Sequence, residues 1–299
     1  MVHRNLRKPY LMSIDPEKLD RLAEVAVRTG VNLQPGQDLV ITAPMAALEL
    51  VRRITVHAYK AGGGIVTPFF TDDEITLARY AHAPDESFDR APGWLYEGMA
   101  AAFKSGAARM AITGDDPMLL AEQDPEKVAR LSKATSIAAK PAMTPIVGFE
   151  VNWNIVAYPG AAWAARVFPD LPVEEAQGKL MDAIYAASRL EGDDPVANWA
   201  AHSKTLQERV DWLNSHDFSA LQYTGPGTDL YLGLADGHIW KGGASPALNG
   251  VVCQPNIPTE EVFTCPHAYK VEGTVAATKP LAHQGSVIEN IAVRFEAGR

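Results

Sequence analysis

Apolar positions along the first two hundred residues recur alternately at helical and at strand spacing. Leu19, Leu22, Ala23, Ala26 and Val27 mark one face of a helix that starts at Asp15-Pro16, where the Asp side chain can accept from orphan amides and Pro occupies the first helical position. Gly30 is the expected stop. A β-rich run over residues 37–42 follows, bounded by Pro35-Gly36 and Pro44. The pattern then predicts helix over 46–61, strand over 64–70, helix over 94–105, and strand over 109–113 leading into a helix near Asp116-Pro117. Asp124-Pro125 repeats the helix start, predicting a helix over 123–139. A strand over 152–158 and helices over 173–189 and 195–213 complete the series. Strands alternating with helices predict a mostly parallel sheet.

After residue 215 glycines, prolines and alternating apolar residues replace the alanine-rich helices. Leu230, Leu232 and Leu234 alternate with Tyr231 and Gly233 ahead of Asp236-Gly237, a dipeptide suited to a tight hairpin turn. The expected fold is therefore an α/β N-terminal domain with a mostly parallel sheet over residues 12–215, followed by a β-rich α+β domain over 216–299. That second domain reads as truncated, because an apolar strand over 287–295 is followed only by Glu296-Ala297-Gly298-Arg299, and a sheet ending on its last strand leaves unpaired backbone groups. Residues 1–11, with His3, Arg4, Arg7 and Lys8, read as a leader or an upstream start.

Composition narrows the function classes. The net charge of −9 and the dispersal of the 27 Lys and Arg argue against nucleic acid, which needs a concentrated basic surface. Two cysteines, Cys253 and Cys265, fit neither a disulfide framework nor a CxxC zinc site and point to a reducing, cytoplasmic compartment. No apolar run approaches the roughly 18 residues that span a bilayer, so no membrane partner is expected.

Candidate chemistry clusters between residues 225 and 290, which hold Glu260, Glu261, His238, His267, His283 and both cysteines. Carboxylates suit hard divalent cations and imidazole suits zinc or cobalt, but no His-x-x-x-His or His-Glu-x-x-His spacing occurs. Glu260 and Glu261 are adjacent, so in an extended segment only one can face a given site. The alternation does not choose between them, and a solvated acidic pair is the plain alternative. His267 reads as a ligand, a substrate contact or a surface histidine, and His238 and His283 as exposed loop residues. The cysteines read as small buried apolar residues. Gly225-Pro-Gly-Thr-Asp229 lacks the Lys-Ser/Thr end of a P-loop and reads as a tight turn, Gly62-Gly63-Gly64 as a helix cap, and the scattered tryptophans as core.

Several segments resemble the aminopeptidase T family of metallo-aminopeptidases, which includes AmpS and PepS. They are Ala91-Pro-Gly-Trp-Leu-Tyr-Glu-Gly98, Asp194-Pro-Val-Ala-Asn-Trp-Ala-Ala-His202, Gly225-Pro-Gly-Thr-Asp-Leu230, and Asn256-Ile-Pro-Thr-Glu-Glu-Val-Phe-Thr264 with Pro266-His267 and Val271-Glu-Gly273. The resemblance runs from about Met12 onward, and Pro-Thr-Glu-Glu-Val-Phe-Thr is its most specific piece. It implies a hydrolase releasing N-terminal residues from peptides with a free N-terminus, two divalent metal ions (Zn, Co or Mg), and a homodimer. The second glutamate of the motif is the ligand, which maps to Glu261 and leaves Glu260 and His267 as possible neighbours. The family's other ligands and its catalytic groups would follow Arg299, so the chain alone is expected to be inactive. A shortened, non-catalytic homologue serving as a binding or assembly module is the competing expectation.

Overall fold

The computed structural model describes residues 14–299. The leader expected over 1–11 lies outside the described residues. Three of the four Asp-Pro pairs start helices: Asp15 accepts from the Glu17 amide at 2.9 Å ahead of α1 (Pro16–Val25), Asp124 from Glu126 at 2.9 Å ahead of α5 (Pro125–Val147), and Asp194 from Ala197 at 2.9 Å ahead of α8 (Pro195–His216). Each supplies an acceptor to an otherwise orphan first-turn amide. The remaining helices are α2 (Leu48–Lys60), α3 (Asp73–His82), α4 (Gly93–Lys104), α6 (Ala161–Val167) and α7 (Val173–Ala187). A π-helical turn over Ala26–Gly30 continues α1 to the glycine expected to stop it.

Five parallel strands form the first sheet in the order β2 (Val66–Thr71), β1 (Leu39–Pro44), β3 (Ala108–Thr113), β4 (Trp153–Ala157) and β10 (Asn256–Ile257). This is a doubly wound arrangement with helices on both faces. Within β1, Leu39, Ile41 and Ala43 join a core with Leu22 of α1, Ile54 of α2 and Met181 of α7, while Val40 joins a second core with Met99 and Phe103 of α4 and Ile146 of α5. A parallel strand covered on both faces must be apolar on both, which is why 39–43 carries little polar alternation. The outermost strand, β10, comes from the segment after residue 215, and Asn154 in β4 secures it by donating to the Gln254 carbonyl at 2.7 Å.

The second half is antiparallel. β5 (Ala220–Gly225), β6 (Thr228–Leu234), β12 (Pro266–Ala276) and β15 (Ala292–Phe295) form a sheet in the order β15-β12-β6-β5. The β5–β6 hairpin turns at Pro226-Gly227, with Gly227 at φ 73°, so Gly225–Asp229 is the tight turn its sequence suggests. Short pairs join β7 (Lys241–Gly242) to β11 (Val262–Phe263), β8 (Ser245–Pro246) to β9 (Val252–Cys253), and β13 (Leu281–His283) to β14 (Ser286–Ile288).

Several expectations change. No helix follows Asp116-Pro117: the Asp116 carboxylate takes the Met118 amide at 2.8 Å, and the turns that follow send the Leu120 amide to the Gly285 carbonyl. α5 runs eight residues past the expected stop, through Pro141 and Pro145, because Ala142 and Ile146 bury themselves in the second core and outweigh the missing amides. α3 and α6 escape the periodicity, since each buries a single apolar residue, Tyr80 and Ala164. Asp236-Gly237 makes a turn, but the strand after it pairs with β11 instead of folding back on β6. Asn290, at φ 56°, splits the strand expected over 287–295 into β14 and β15. Cys265 is exposed although Cys253 is buried, and Trp94 and Trp212 are surface residues rather than core.

Candidate active-site cleft

A cleft of about 850 Å³ opens where the two halves of the chain meet, within the ~300–1,000 Å³ usual for ligand sites. The C-terminal end of α5 and the start of β4 form one wall, the last turns of α8 a second, and residues 239–263 the third. The third wall is fastened to the other two and to the turn after α1. The Asn214 side chain on α8 accepts from the Trp240 amide at 2.8 Å and donates to the Trp240 carbonyl at 3.1 Å, a closed pair of hydrogen bonds. The Leu248 amide donates to the Phe149 carbonyl at 2.8 Å, and the Gln254 amide to the Gly30 carbonyl at 2.7 Å.

The lining is apolar with a few polar groups. Phe149 and Trp153 meet edge to face at 6.1 Å, with Phe263 and Leu248 at the rim. Two carboxylates lie along the cleft, Asp211 and Glu261; Asp211 accepts from Gln207 at 2.8 Å. The buried Trp240 and Gln254 contribute Nε1 and Nε2 atoms that have no hydrogen-bond partner.

The two adjacent glutamates separate as alternation requires. Glu261 lines the cleft, whereas Glu260 pairs with Arg189 Nη2 at 2.5 Å and lies 3.8 Å from His202 Nε2. Glu261 is held by the β7–β11 pair: a side chain at Gly242 would sit 2.7 Å from the Glu261 carbonyl oxygen, so glycine permits the close approach. His267 does not line the cleft; it lies in β12, where its Nδ1 accepts from the Tyr269 amide at 3.1 Å.

His238 is not an exposed loop residue. It is half-buried, with Nδ1 2.9 Å from Thr264 Oγ1 and Nε2 2.8 Å from the Phe218 carbonyl, so both ring nitrogens are engaged in holding the turn after β6. His283 is exposed but lies in β13. Burial pushes the Cys253 thiol up from its ordinary value, which keeps it a packing residue and not a nucleophile. Asp211, Trp240, Gln254 and Arg189 were not singled out by sequence: the last three take their roles from contacts distant along the chain, and Asp211 from its place on the cleft wall.

Among the described residues, no group of three or more His, Cys, Asp and Glu side chains is placed to hold a metal ion. Glu261 by itself does not make a metal centre. No helix among the described residues is long and apolar enough to cross a membrane.

Fold and cleft together define a doubly wound α/β protein completed by an antiparallel half, with a carboxylate-bearing, largely apolar cleft at their junction. The chain belongs to the M29 peptidase family, the thermophilic metalloproteases, whose family model matches residues 15–299. It is 49% identical over 280 residues to aminopeptidase T of Thermus thermophilus, covering 94% of this chain and 69% of that protein. Aminopeptidase 2 of Geobacillus stearothermophilus is 40% identical over 283 residues, covering 95% and 68%, and AmpS of Bacillus subtilis is 39% identical over 283 residues, covering 95% and 69%. The structure of wild-type AmpT from Thermus thermophilus superimposes with a TM-score of 0.88 at 48% identity, covering 94% of this chain and 69% of that one. Membership makes the protein a peptidase-type hydrolase of a family that uses divalent metal, and favours an enzyme over a non-catalytic module.

Proposed function

We propose that the protein is a metal-dependent aminopeptidase that releases N-terminal residues from peptides, and that Glu261 is a ligand of its metal centre. The observation that carries the reading is the separation of the two glutamates, with Glu261 on the cleft wall and Glu260 turned to Arg189. The residues over 14–299 do not fit a complete metal site, since Glu261 has no cluster of ligands around it. The reading therefore needs ligands, and the catalytic groups, from outside these residues, and no catalytic step is derived through the metal. In the proposal the family's metal centre holds two divalent ions of Zn, Co or Mg.

The chain's own residues suit the binding side of the reaction. The apolar walls at Phe149, Trp153 and Phe263 can take a substrate side chain. The Asp211 carboxylate provides negative charge suited to a free α-amino group. In the same reading residues 12–215 form the N-terminal domain and 216–299 part of the catalytic one, and the protein works in the cytoplasm as a homodimer.

The test is hydrolysis of leucine p-nitroanilide by the native gene product with Co²⁺, Zn²⁺ or Mg²⁺ and after chelation. Metal-dependent release of p-nitroaniline is expected. Inactivity with every divalent metal tried would overturn the assignment.

A further inference from the structure

The segment ahead of Glu261 is held from the side opposite the cleft. Just beyond the end of α7, Arg189 takes up a left-handed backbone conformation, φ 54°, and its guanidinium reaches Glu260 Oε1. From α8, His202 Nε2 meets the Thr259 carbonyl at 2.8 Å. A carbonyl only accepts, so Nε2 carries the hydrogen. Both anchors rest on Trp199, which is fully buried and donates Nε1 to the Ser188 carbonyl at 2.7 Å. The Arg189 guanidinium lies 5.7 Å over the Trp199 ring, and His202 packs edge-on against it at 5.5 Å. One tryptophan thus fixes the bases of both arms.

We propose that Arg189 and His202 are positioning residues for Glu261. By tying Thr259 and Glu260 to the α7–α8 junction they fix which face of the extended segment each glutamate takes, and so hold the Glu261 carboxylate on the cleft wall. The proposal rests on the reading of Glu261 as a ligand. In extended chain, adjacent side chains point to opposite faces, so a tether on Glu260 also orients Glu261. The two arms contribute unequally. The Glu260 side chain is 65% exposed, so its ion pair is screened and weak, whereas the His202 side chain is only 10% exposed and its bond to the backbone is the stronger hold. The tether also gives a purpose to Trp199 and His202 in the 194–202 segment, which otherwise touches no part of the cleft chemistry.

Hydrogen–deuterium exchange on the 299-residue chain tests the tether without relying on activity. In Glu260→Ala, amides over 260–263 should exchange about 1.5- to fivefold faster, the range a screened pair supports. In His202→Ala the increase should be about tenfold, as expected for a lost, partly buried hydrogen bond. Amides of α1 should be unchanged in both. Unchanged exchange over 260–263 in the Glu260→Ala protein, which loses only an exposed side chain and keeps its fold, overturns the proposal.

A kinetic arm uses the native gene product. Glu260→Ala should lower kcat by about 1.5- to fivefold with KM held, and the same substitution made in an Arg189→Ala protein should cost nothing further, because the ion pair is already gone. Additive losses overturn the coupling. If Glu261→Gln abolishes activity while Glu260→Ala leaves both exchange and kcat intact, positioning fails and the metal reading stands. If Glu261→Gln stays active, the metal reading fails and the positioning role fails with it.

Discussion

Asn154 shows how much of the cleft depends on one buried side chain. It is fully buried in β4, its Nδ2 donates to the Gln254 carbonyl at 2.7 Å, and that bond attaches the 254–257 segment to the first sheet. Asn154→Ala leaves a buried carbonyl without its donor and should cost about 1–3 kcal/mol in urea unfolding. Gly30 packs directly on it, since a side chain at that position would lie 2.6 Å from Asn154 Cγ, so Gly30→Ala should destabilise by a similar ~1–3 kcal/mol of overpacking. The double variant should lose less than the sum, because removing the Asn side chain vacates the space the new methyl needs. Strict additivity would contradict this contact. At the same scale, alternation alone separated Glu260 from Glu261 without saying which faces the cleft; the family motif named Glu261, and the cleft lies on its side. The partners of Glu260 were not legible, because Arg189 and His202 are about seventy and sixty residues away in sequence.

At the scale of elements, α5 is tied down by one arginine. Arg130 grips Asp89 through Nε at 2.9 Å and Nη2 at 2.6 Å, and reaches Asp85 Oδ2 at 2.9 Å, docking the helix on the turn at Asp85–Asp89. The hydrogen bonds from Arg130 hold the Asp89 carboxyl below the usual carboxylate range. A lowered folded-state pKa means that this group's stabilising effect is complete above the ordinary carboxylate pKa and is lost as pH falls through the lowered value. Carboxylate-detected NMR should therefore find Asp89 titrating below the ordinary range, and in Arg130→Ala back within it. Equal midpoints in the two proteins would remove the docking role. Elements were legible where a cap and a stripe coincide, as at the Asp-Pro starts of α1, α5 and α8, but not at Asp116-Pro117, where no stripe follows and no helix forms. They were not legible where burial overrides local preference, as in α5 beyond Lys140, or where too little is buried to leave a stripe, as in α3.

At the scale of the molecule, β10 joins the two textures of the chain. Asn256 and Ile257 belong by sequence to the glycine-rich half and by hydrogen bonding to the parallel sheet, so Glu261 begins its approach to the cleft from the edge of a rigid layer. The switch from helical to alternating periodicity announced both halves, but nothing in it could show a strand of one completing the sheet of the other, because two-residue pairings leave no periodic trace. Function depends on that junction, since the cleft takes its walls from α5, α8 and residues 239–263.

The most direct measurement compares Glu261→Gln with Glu260→Gln in the native gene product, following leucine p-nitroanilide hydrolysis with Co²⁺ or Zn²⁺ present. Glu261→Gln should lower kcat/KM by more than the roughly 10–100-fold that loss of an outer-shell partner costs, and Glu260→Gln by about fivefold or less. Equal losses at the two positions would contradict the assignment of Glu261 as the ligand.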